Sequence, residues 1–240
     1  MALLLGVAAF LALVLLLAVR VAGGTAERAA RYLDAVLNLL RAPIGKAIYP
    51  LGRGLANAGV TPDMITVTGT VGAVAGALVC YPRGWFFAGT LIIWAFVMFD
   101  MVDGAVARAG NLGTRFGAVL DSSCDRIADA AVFGALAWWF ARHDHPALLL
   151  AALLCLVLGS LTSYIKARAE GAGFSCNVGI AERSERLIIV LVGTGLDGFP
   201  GLHVPYVQAI ALWVLVAAST ITVGQRFATV WRQSRAAAAA

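Results

Sequence analysis

The sequence predicts an all-α integral membrane protein: a bundle of six transmembrane helices preceded by an amphipathic interfacial helix. Two observations predict it. Of the 240 residues, 61% are hydrophobic and 13% are charged, whereas a soluble domain carries roughly 25% charged residues. Long apolar segments also alternate with short polar connections, and spans of ~20 residues each fill most of the chain. No length is left for a separate soluble domain.

Residues 1–35 form a hydrophobic N-terminal extension. Residues 2–19 are almost purely apolar and end at Arg20. They have neither a charged n-region nor a clear small-residue cleavage site, so an uncleaved extra helix is favoured over a secretory signal. A third interpretation is that Val36 is read from an alternative start codon. Residues 1–35 would then be an artefact of the gene model.

Residues 36–60 are predicted to form a juxtamembrane amphipathic helix. Apolar residues recur there at steps of three and four, from Leu37 to Leu55, and the basic residues lie off this stripe. Such a pattern is typical of a basic helix that lies in the headgroup plane of a membrane.

Residues 61–235 are predicted to form the membrane domain, followed by a low-complexity tail at 236–240. The segment Thr61-Pro62-Asp63 is typical of a helix start, with a capping hydroxyl, a proline in the first turn and an acidic residue at the positive dipole end. Gly72 and Gly76, four residues apart, predict close helix packing. The six spans are predicted at 62–81, 85–107, 115–141, 146–169, 184–198 and 205–229.

The distribution of basic residues predicts how the bundle is oriented. Of 18 Lys and Arg residues, only Arg83 and Arg142 lie near the connections on one side. The others lie on the opposite side or just inside its helix ends, which makes that side cytoplasmic. The net charge of +5 is therefore interpreted as basic flanks that meet anionic lipid, with no nucleic-acid partner. We expect a multi-pass protein of the plasma membrane.

Four aspartates carry the predicted chemistry: Asp100, Asp103, Asp121 and Asp125. Their spacing puts two carboxylates on one face of each of two helices, and the chain reverses between these helices. Four like charges in a partly apolar site need a counter-charge, which divalent cations with oxygen ligands provide. Carboxylates around two metals suit displacement at phosphorus.

Two other roles could explain the four aspartates. A single intramembrane aspartate can be a structural contact, whereas four together predict function. A transporter or channel that uses buried carboxylates is the alternative from another class. It predicts inverted repeats or interrupted spans, and neither is evident in the sequence.

The pattern D-x2-D-G-x2-A-R-x8-G-x3-D-x3-D over residues 100–125 resembles the signature of the CDP-alcohol phosphotransferases at all eight fixed positions. The resemblance covers roughly residues 36–235. It implies a transferase that moves a phosphatidyl-type group from CDP-diacylglycerol to an alcohol and releases CMP, with its active site facing the cytoplasm. It also implies a homodimer.

The same resemblance implies roles for individual residues. Two Mg²⁺ or Mn²⁺ ions would lie among the four aspartates, with Asp125 acting as a ligand and as the general base. The residues implied to contact the CDP-lipid are Asp63, Met64, Ile65, Thr66, Gly104, Arg108 and Thr114.

Basic residues gather at the cytoplasmic ends of the last three predicted spans. On charge alone, two interpretations weigh equally: ordinary positive-inside charge paired with Glu170, Glu182 and Glu185, or a pocket for a phosphorylated acceptor. The segments SYIKARAE and I-x-ER-x-ER resemble those of the phosphatidylinositol phosphate synthases of this family. That resemblance implies inositol 1-phosphate as the acceptor. A glycerol-phosphate acceptor, as in a phosphatidylglycerophosphate synthase, would also need a basic pocket and stays the alternative. The acceptor-binding residues implied are Lys166, Arg168, Arg186 and Arg226, with Ser163 and Arg183 beside them.

Overall fold

A computed structural model describes residues 54–55, 58–97, 104, 106–107, 113–201 and 206–238. Its regular structure is helical throughout that part of the chain. The helices are α1 (Pro62–Cys80), α2 (Phe86–Val97), α3 (Arg115–Arg142), α4 (Pro146–Gly171), α5 (Arg183–Asp197) and α6 (Val207–Ala238), with a 3-10 turn at Tyr81–Arg83. The predictions for residues 1–35, and for most of the amphipathic helix at 36–60, lie outside the described residues.

The six helices begin within two residues of the predicted starts. Proline at the first position of α1 and α4 explains part of this agreement, because its fixed φ suits the first turn of a helix. The largest difference is at the end of α6, which continues past the predicted residue 229 to Ala238. The second predicted span, 85–107, is described as a helix to Val97.

Among the described residues, three segments are long and apolar enough to cross a membrane: Pro62–Arg83, Pro146–Gly171 and Val207–Ala236. The described part of α2 is apolar but shorter. Helix α3 has 28 residues but carries charged side chains from Arg115 to Asp129, and α5 has 15 residues. The described chain is thus an all-helical protein with apolar helices of membrane-spanning length, and the full count of six spans stays a prediction.

The chain divides into two compact units. Of the described residues, those up to Cys80 and those within Ala88–Ala128 belong to the first unit, and Tyr81–Phe87 and those from Asp129 onward belong to the second. In the first unit, α1 packs closely on α2 through its glycines. A side chain on Gly76 would lie 2.7 Å from Cγ2 of Ile92, and one on Gly72 would overlap the ring of Phe96. The predicted close packing at these glycines is confirmed.

In the second unit, α6 packs against both α4 and α5. Leu212 and Leu215 of α6 are fully buried, and the buried Gln208 donates its Nε2 hydrogen to Oγ1 of Thr194 on α5 (3.3 Å). A Cβ on Gly193 would lie 2.5 Å from that of Ala211, so the backbones of α5 and α6 approach closely there. This packing fixes the helices that carry the basic residues near their ends.

Candidate active site

Helix α3 carries two of the four predicted metal-binding aspartates. Asp121 and Asp125 are both partly buried and lie four residues apart, which places them on one face of the helix. Nη2 of Arg126 lies 3.8 Å from Oδ2 of Asp125. The helix register alone therefore places the two aspartates on one face, as the spacing predicted.

The rest of the predicted metal site is not described. Asp100, Asp103 and Arg108 lie outside the described residues, while Gly104 has helical backbone and is partly buried. Within the described part of the chain, no three His, Cys, Asp or Glu side chains come together to hold a metal. The complete ligand set would need the two undescribed aspartates.

The start of α1 and the start of α3 meet in the first unit. Oγ1 of Thr114 accepts the N–H of Gly117 (2.8 Å), which caps α3 at its N-terminus. A side chain on Gly117 would lie 2.9 Å from Oδ1 of Asp63 and 3.1 Å from Oγ1 of Thr114. Two residues predicted to contact the CDP-lipid, Asp63 and Thr114, therefore converge on a glycine of the aspartate signature.

The other residues predicted at the start of α1 differ in exposure. Oγ1 of Thr61 accepts the N–H of Met64 (3.3 Å), which confirms the predicted cap. Met64 is exposed, whereas Ile65 and Thr66 are buried, and Oγ1 of Thr66 donates to the carbonyl of Pro62 (3.1 Å). Asp63 and Met64 thus lie on the more accessible side of this helix turn.

Arg186 on α5 is the most enclosed of the predicted acceptor-binding residues. Its Nη1 donates to Oγ1 of Thr162 (3.2 Å) and to the carbonyl of Ala181 (3.1 Å). Its Nη2 donates to the carbonyl of Gly159 (3.4 Å). Only 4% of the residue is exposed, so its guanidinium group joins α5 to α4 as well as adding charge.

Arg226 on α6 is buried in a similar way. Its Nε donates to the carbonyl of Val178 (2.9 Å), and its Nη1 donates to the carbonyl of Thr162. One turn earlier on the same helix, Thr222 also holds the α4–α5 connection. Oγ1 of Thr222 accepts the N–H groups of Ile180 and Ala181 (both 3.2 Å).

Further along α6, the side chain of Gln233 bonds to Ser175 in the same connection. Its Oε1 accepts the N–H of Ser175 (3.0 Å) and its Nε2 donates to the carbonyl (2.7 Å). Thr222 and Gln233, which were not among the predicted site residues, therefore join Arg226 in holding the α4–α5 connection against α6.

The remaining predicted acceptor residues are more accessible. Arg168 is exposed, and Ser163, Lys166 and Arg183 are partly exposed. Nζ of Lys166 lies 4.0 Å from Oε1 of Glu170, one of the pairings expected for ordinary surface charge. Glu185 instead accepts the N–H of Glu182 (2.9 Å) in a capping box at the start of α5.

Asp129 on α3 is a charged residue that was not among the predicted site residues. Its Oδ1 lies 3.5 Å from Nε of Arg183, and its Oδ2 lies 3.8 Å from Nη2 of Arg186. The signal that could have found it is the spacing, since Asp129 continues the four-residue step from Asp121 to Asp125.

Comparison with known proteins supports the same chemistry. The model of the CDP-alcohol phosphatidyltransferase family matches residues 59–224. The chain is 53% identical, over 194 residues, to a phosphatidylinositol phosphate synthase of Mycobacterium marinum. The matched region covers 80% of this chain and 83% of that protein. It is 51% identical over 195 residues to the synthase of Mycobacterium tuberculosis, covering 80% and 89% of the two chains.

Solved structures of the Mycobacterium tuberculosis phosphatidylinositol phosphate synthase have the same fold. The structure with CDP-DAG bound superposes with a TM-score of 0.74 at 50% identity, covering 78% of this chain and 94% of that one. The complex with manganese and citrate gives 0.73 at 52% identity, covering 77% and 88%. These matches confirm the prediction of a phospholipid-biosynthesis transferase. The chain belongs to the CDP-alcohol phosphatidyltransferase family.

Proposed function

We propose that this protein transfers the phosphatidyl group of CDP-diacylglycerol to inositol 1-phosphate, which gives phosphatidylinositol phosphate and CMP. The observation that carries the proposal is its 53% identity, over 80% of the chain, to a protein with that synthase activity in its name. The eight signature positions between Asp100 and Asp125 and the shared face of Asp121 and Asp125 support the same reaction.

The carboxylates of α3 fit divalent metal. Asp121 and Asp125 offer oxygen atoms, the ligands that Mg²⁺ and Mn²⁺ prefer, and Asp100 and Asp103 complete a set for two ions. When bound, the ions neutralise the pyrophosphate and polarise the phosphorus that is attacked. A related synthase was crystallised with manganese, which agrees with a divalent metal bound by these carboxylates.

The residues of the chain then bind, orient and move a proton. Asp63, Thr114 and Gly104 hold the cytidine diphosphate, together with Met64, Ile65, Thr66 and Arg108. Asp125 accepts the proton of the acceptor hydroxyl, which must come within ~3 Å of its carboxylate. The acceptor oxygen forms a bond to the phosphorus of the phosphatidyl group, the pyrophosphate P–O bond breaks, and CMP leaves with the bonding electrons.

The basic residues of the second unit bind the phosphate of the acceptor. Arg168, Lys166 and Arg183 retain exposed surface and are suited to meet it, with Ser163 beside them. Arg186 and Arg226 add positive charge from buried positions and hold the backbone around the pocket. Guanidinium groups suit this task because they donate two parallel hydrogen bonds to phosphate.

The membrane arrangement belongs to the same proposal. Residues 61–235 form the membrane domain with six spans in the plasma membrane, and residues 36–60 lie as an amphipathic helix at its surface. The active site faces the cytoplasm, where most of the basic residues lie. The enzyme works as a homodimer.

Release of CMP tests the reaction and the acceptor together. The purified protein is incubated with CDP-diacylglycerol, Mg²⁺ or Mn²⁺, and one alcohol at a time: inositol 1-phosphate, inositol or glycerol 3-phosphate. We expect metal-dependent CMP release with inositol 1-phosphate. Release with glycerol 3-phosphate alone would reject the acceptor and favour a phosphatidylglycerophosphate synthase. No release with any alcohol would reject the reaction.

A further inference from the structure

Asp129 is a buried carboxylate between two arginines of the second unit. The residue is 7% exposed. Each of its oxygens faces a different guanidinium group, Oδ1 towards Arg183 (3.5 Å) and Oδ2 towards Arg186 (3.8 Å). It is outside the eight signature positions, and none of the proposed steps uses it.

A buried ion pair is a poor way to stabilise a protein. Removing a carboxylate from water costs more than its pairing returns unless the geometry is good, and an apolar replacement is often at least as stable. Stability alone therefore does not explain an aspartate at this position.

The neighbours of Arg186 suggest what the carboxylate does. Thr162, Gly159 and the carbonyl of Ala181 already hold its guanidinium group from the α4 side and from the loop. Asp129 approaches from α3 and also contacts Arg183, one helix turn before Arg186 on α5. Its negative charge offsets the repulsion between these two like charges.

We infer that Asp129 is a positioning residue for the acceptor: it holds Arg183 and Arg186 in the orientation that receives the acceptor phosphate. This inference rests on the proposed function. Arg183, the more exposed of the two, is the group presented to the phosphate, while Arg186 supports it. Without the carboxylate, the two cations repel each other and Arg183 leaves its place.

The test is the KM of each substrate for Asp129→Asn, which keeps the size of the side chain and removes its charge. We expect the KM for inositol 1-phosphate to rise about tenfold or more, the range of one charged hydrogen bond. The KM for CDP-diacylglycerol should change by less than about twofold, because the residues proposed to bind that substrate are unchanged. Asp144→Asn is the matched control, since Asp144 is exposed and its φ of 56° is tolerated by asparagine. Both of its KM values should equal those of the wild type.

Asp129→Glu separates position from charge and serves also if the asparagine variant fails to fold. It keeps the negative charge but displaces it by one methylene, so we expect the acceptor KM to rise about threefold or more. A wild-type acceptor KM in this variant would overturn the positioning role. So would an unchanged or lowered acceptor KM in Asp129→Asn, or an equal rise for both substrates.

The acceptor used by the wild type decides which proposal fails. If the wild type uses glycerol 3-phosphate and not inositol 1-phosphate, the proposed acceptor is wrong. The same variants are then compared with glycerol 3-phosphate. A selective rise in that KM supports the role of Asp129, and its absence overturns it.

Discussion

The carboxylates of the first unit and the arginines of the second unit are organised in opposite ways. Asp121 and Asp125 lie one turn apart, so the register of α3 alone places them together. Arg186 and Arg226 are 4% and 5% exposed, and each donates to atoms of other helices or loops. When helix register places the side chains of a site, residue spacing in the sequence predicts the site. When tertiary contacts place them, the site depends on how several helices pack.

The largest effect is expected from replacing the proposed general base of the carboxylate region. Asp125→Asn should lower the rate of CMP release about 100-fold or more, since general bases contribute roughly 10²–10⁴-fold. The variant should fold, because helix register and not the carboxylate sets its position. Its elution volume and thermal midpoint in detergent should match those of the wild type. Retention of more than about a tenth of the wild-type rate would contradict the assignment.

The second effect tests whether the arginine region serves the acceptor. Arg186→Gln should raise the KM for inositol 1-phosphate by about 10- to 100-fold, because the pocket loses a buried positive charge and Asp129 loses one of its two arginines. The KM for CDP-diacylglycerol should rise far less. Steady-state CMP release at varied concentrations of each substrate measures both constants.

Arg232→Gln is the control for that variant. Arg232 is exposed and its Nε donates to the carbonyl of Ala228 in its own helix (3.3 Å). Both KM values should stay at the wild-type level. An equal rise for the two substrates in Arg186→Gln would mean that Arg186 serves the fold and not the acceptor.

A smaller effect is expected at the point where α1 and α3 meet. Gly117→Ala would put a methyl group 2.9 Å from Oδ1 of Asp63 and 3.1 Å from Oγ1 of Thr114. Both side chains must move, so the KM for CDP-diacylglycerol should rise by up to about tenfold, within the usual range of single substitutions. The acceptor KM should be nearly unchanged.

Gly134→Ala on the same helix is the matched control, because a Cβ there meets nothing within 4 Å. Alanine favours a helix interior over glycine by about 1 kcal/mol, so this variant should be at least as stable as the wild type. Were both variants to bind CDP-diacylglycerol as the wild type does, Asp63 and Thr114 would have no role in holding it.

The two regions also differ in how far the sequence predicted them. The start of α1 followed from Thr61 and Pro62, and the shared face of Asp121 and Asp125 followed from a four-residue step. Both depend on local backbone geometry, which sequence patterns describe well.

From the residues alone, the arginine region was predicted as a cluster of charge, and its role in binding the acceptor came only from the family resemblance. Arg186 and Arg226 donate hydrogen bonds to the backbone carbonyls of Ala181, Val178 and Thr162. Every residue type has such a carbonyl. Their positions arise from the packing of α4, α5 and α6, so no pattern of residue types reveals them. The four-residue step from Asp125 could have indicated Asp129 itself, but not its partners, which lie more than 50 residues away along the chain.

The smallest effect is expected at the α4–α5 connection, where it tests whether tertiary contacts hold the arginine region. Thr222→Val keeps the shape of the side chain but leaves the N–H groups of Ile180 and Ala181 without the oxygen that accepts them. A buried donor left unsatisfied costs about 1–3 kcal/mol, so the thermal midpoint should fall, and the acceptor KM should rise less than in Arg186→Gln. Thr220→Val on the same helix is the control, because Thr220 is exposed and its hydroxyl donates to the carbonyl of Val216 one turn earlier (2.8 Å). Equal thermal shifts in the two valine variants would mean that Thr222 does not hold the connection, and the arginine region would then depend less on tertiary contacts than its geometry indicates.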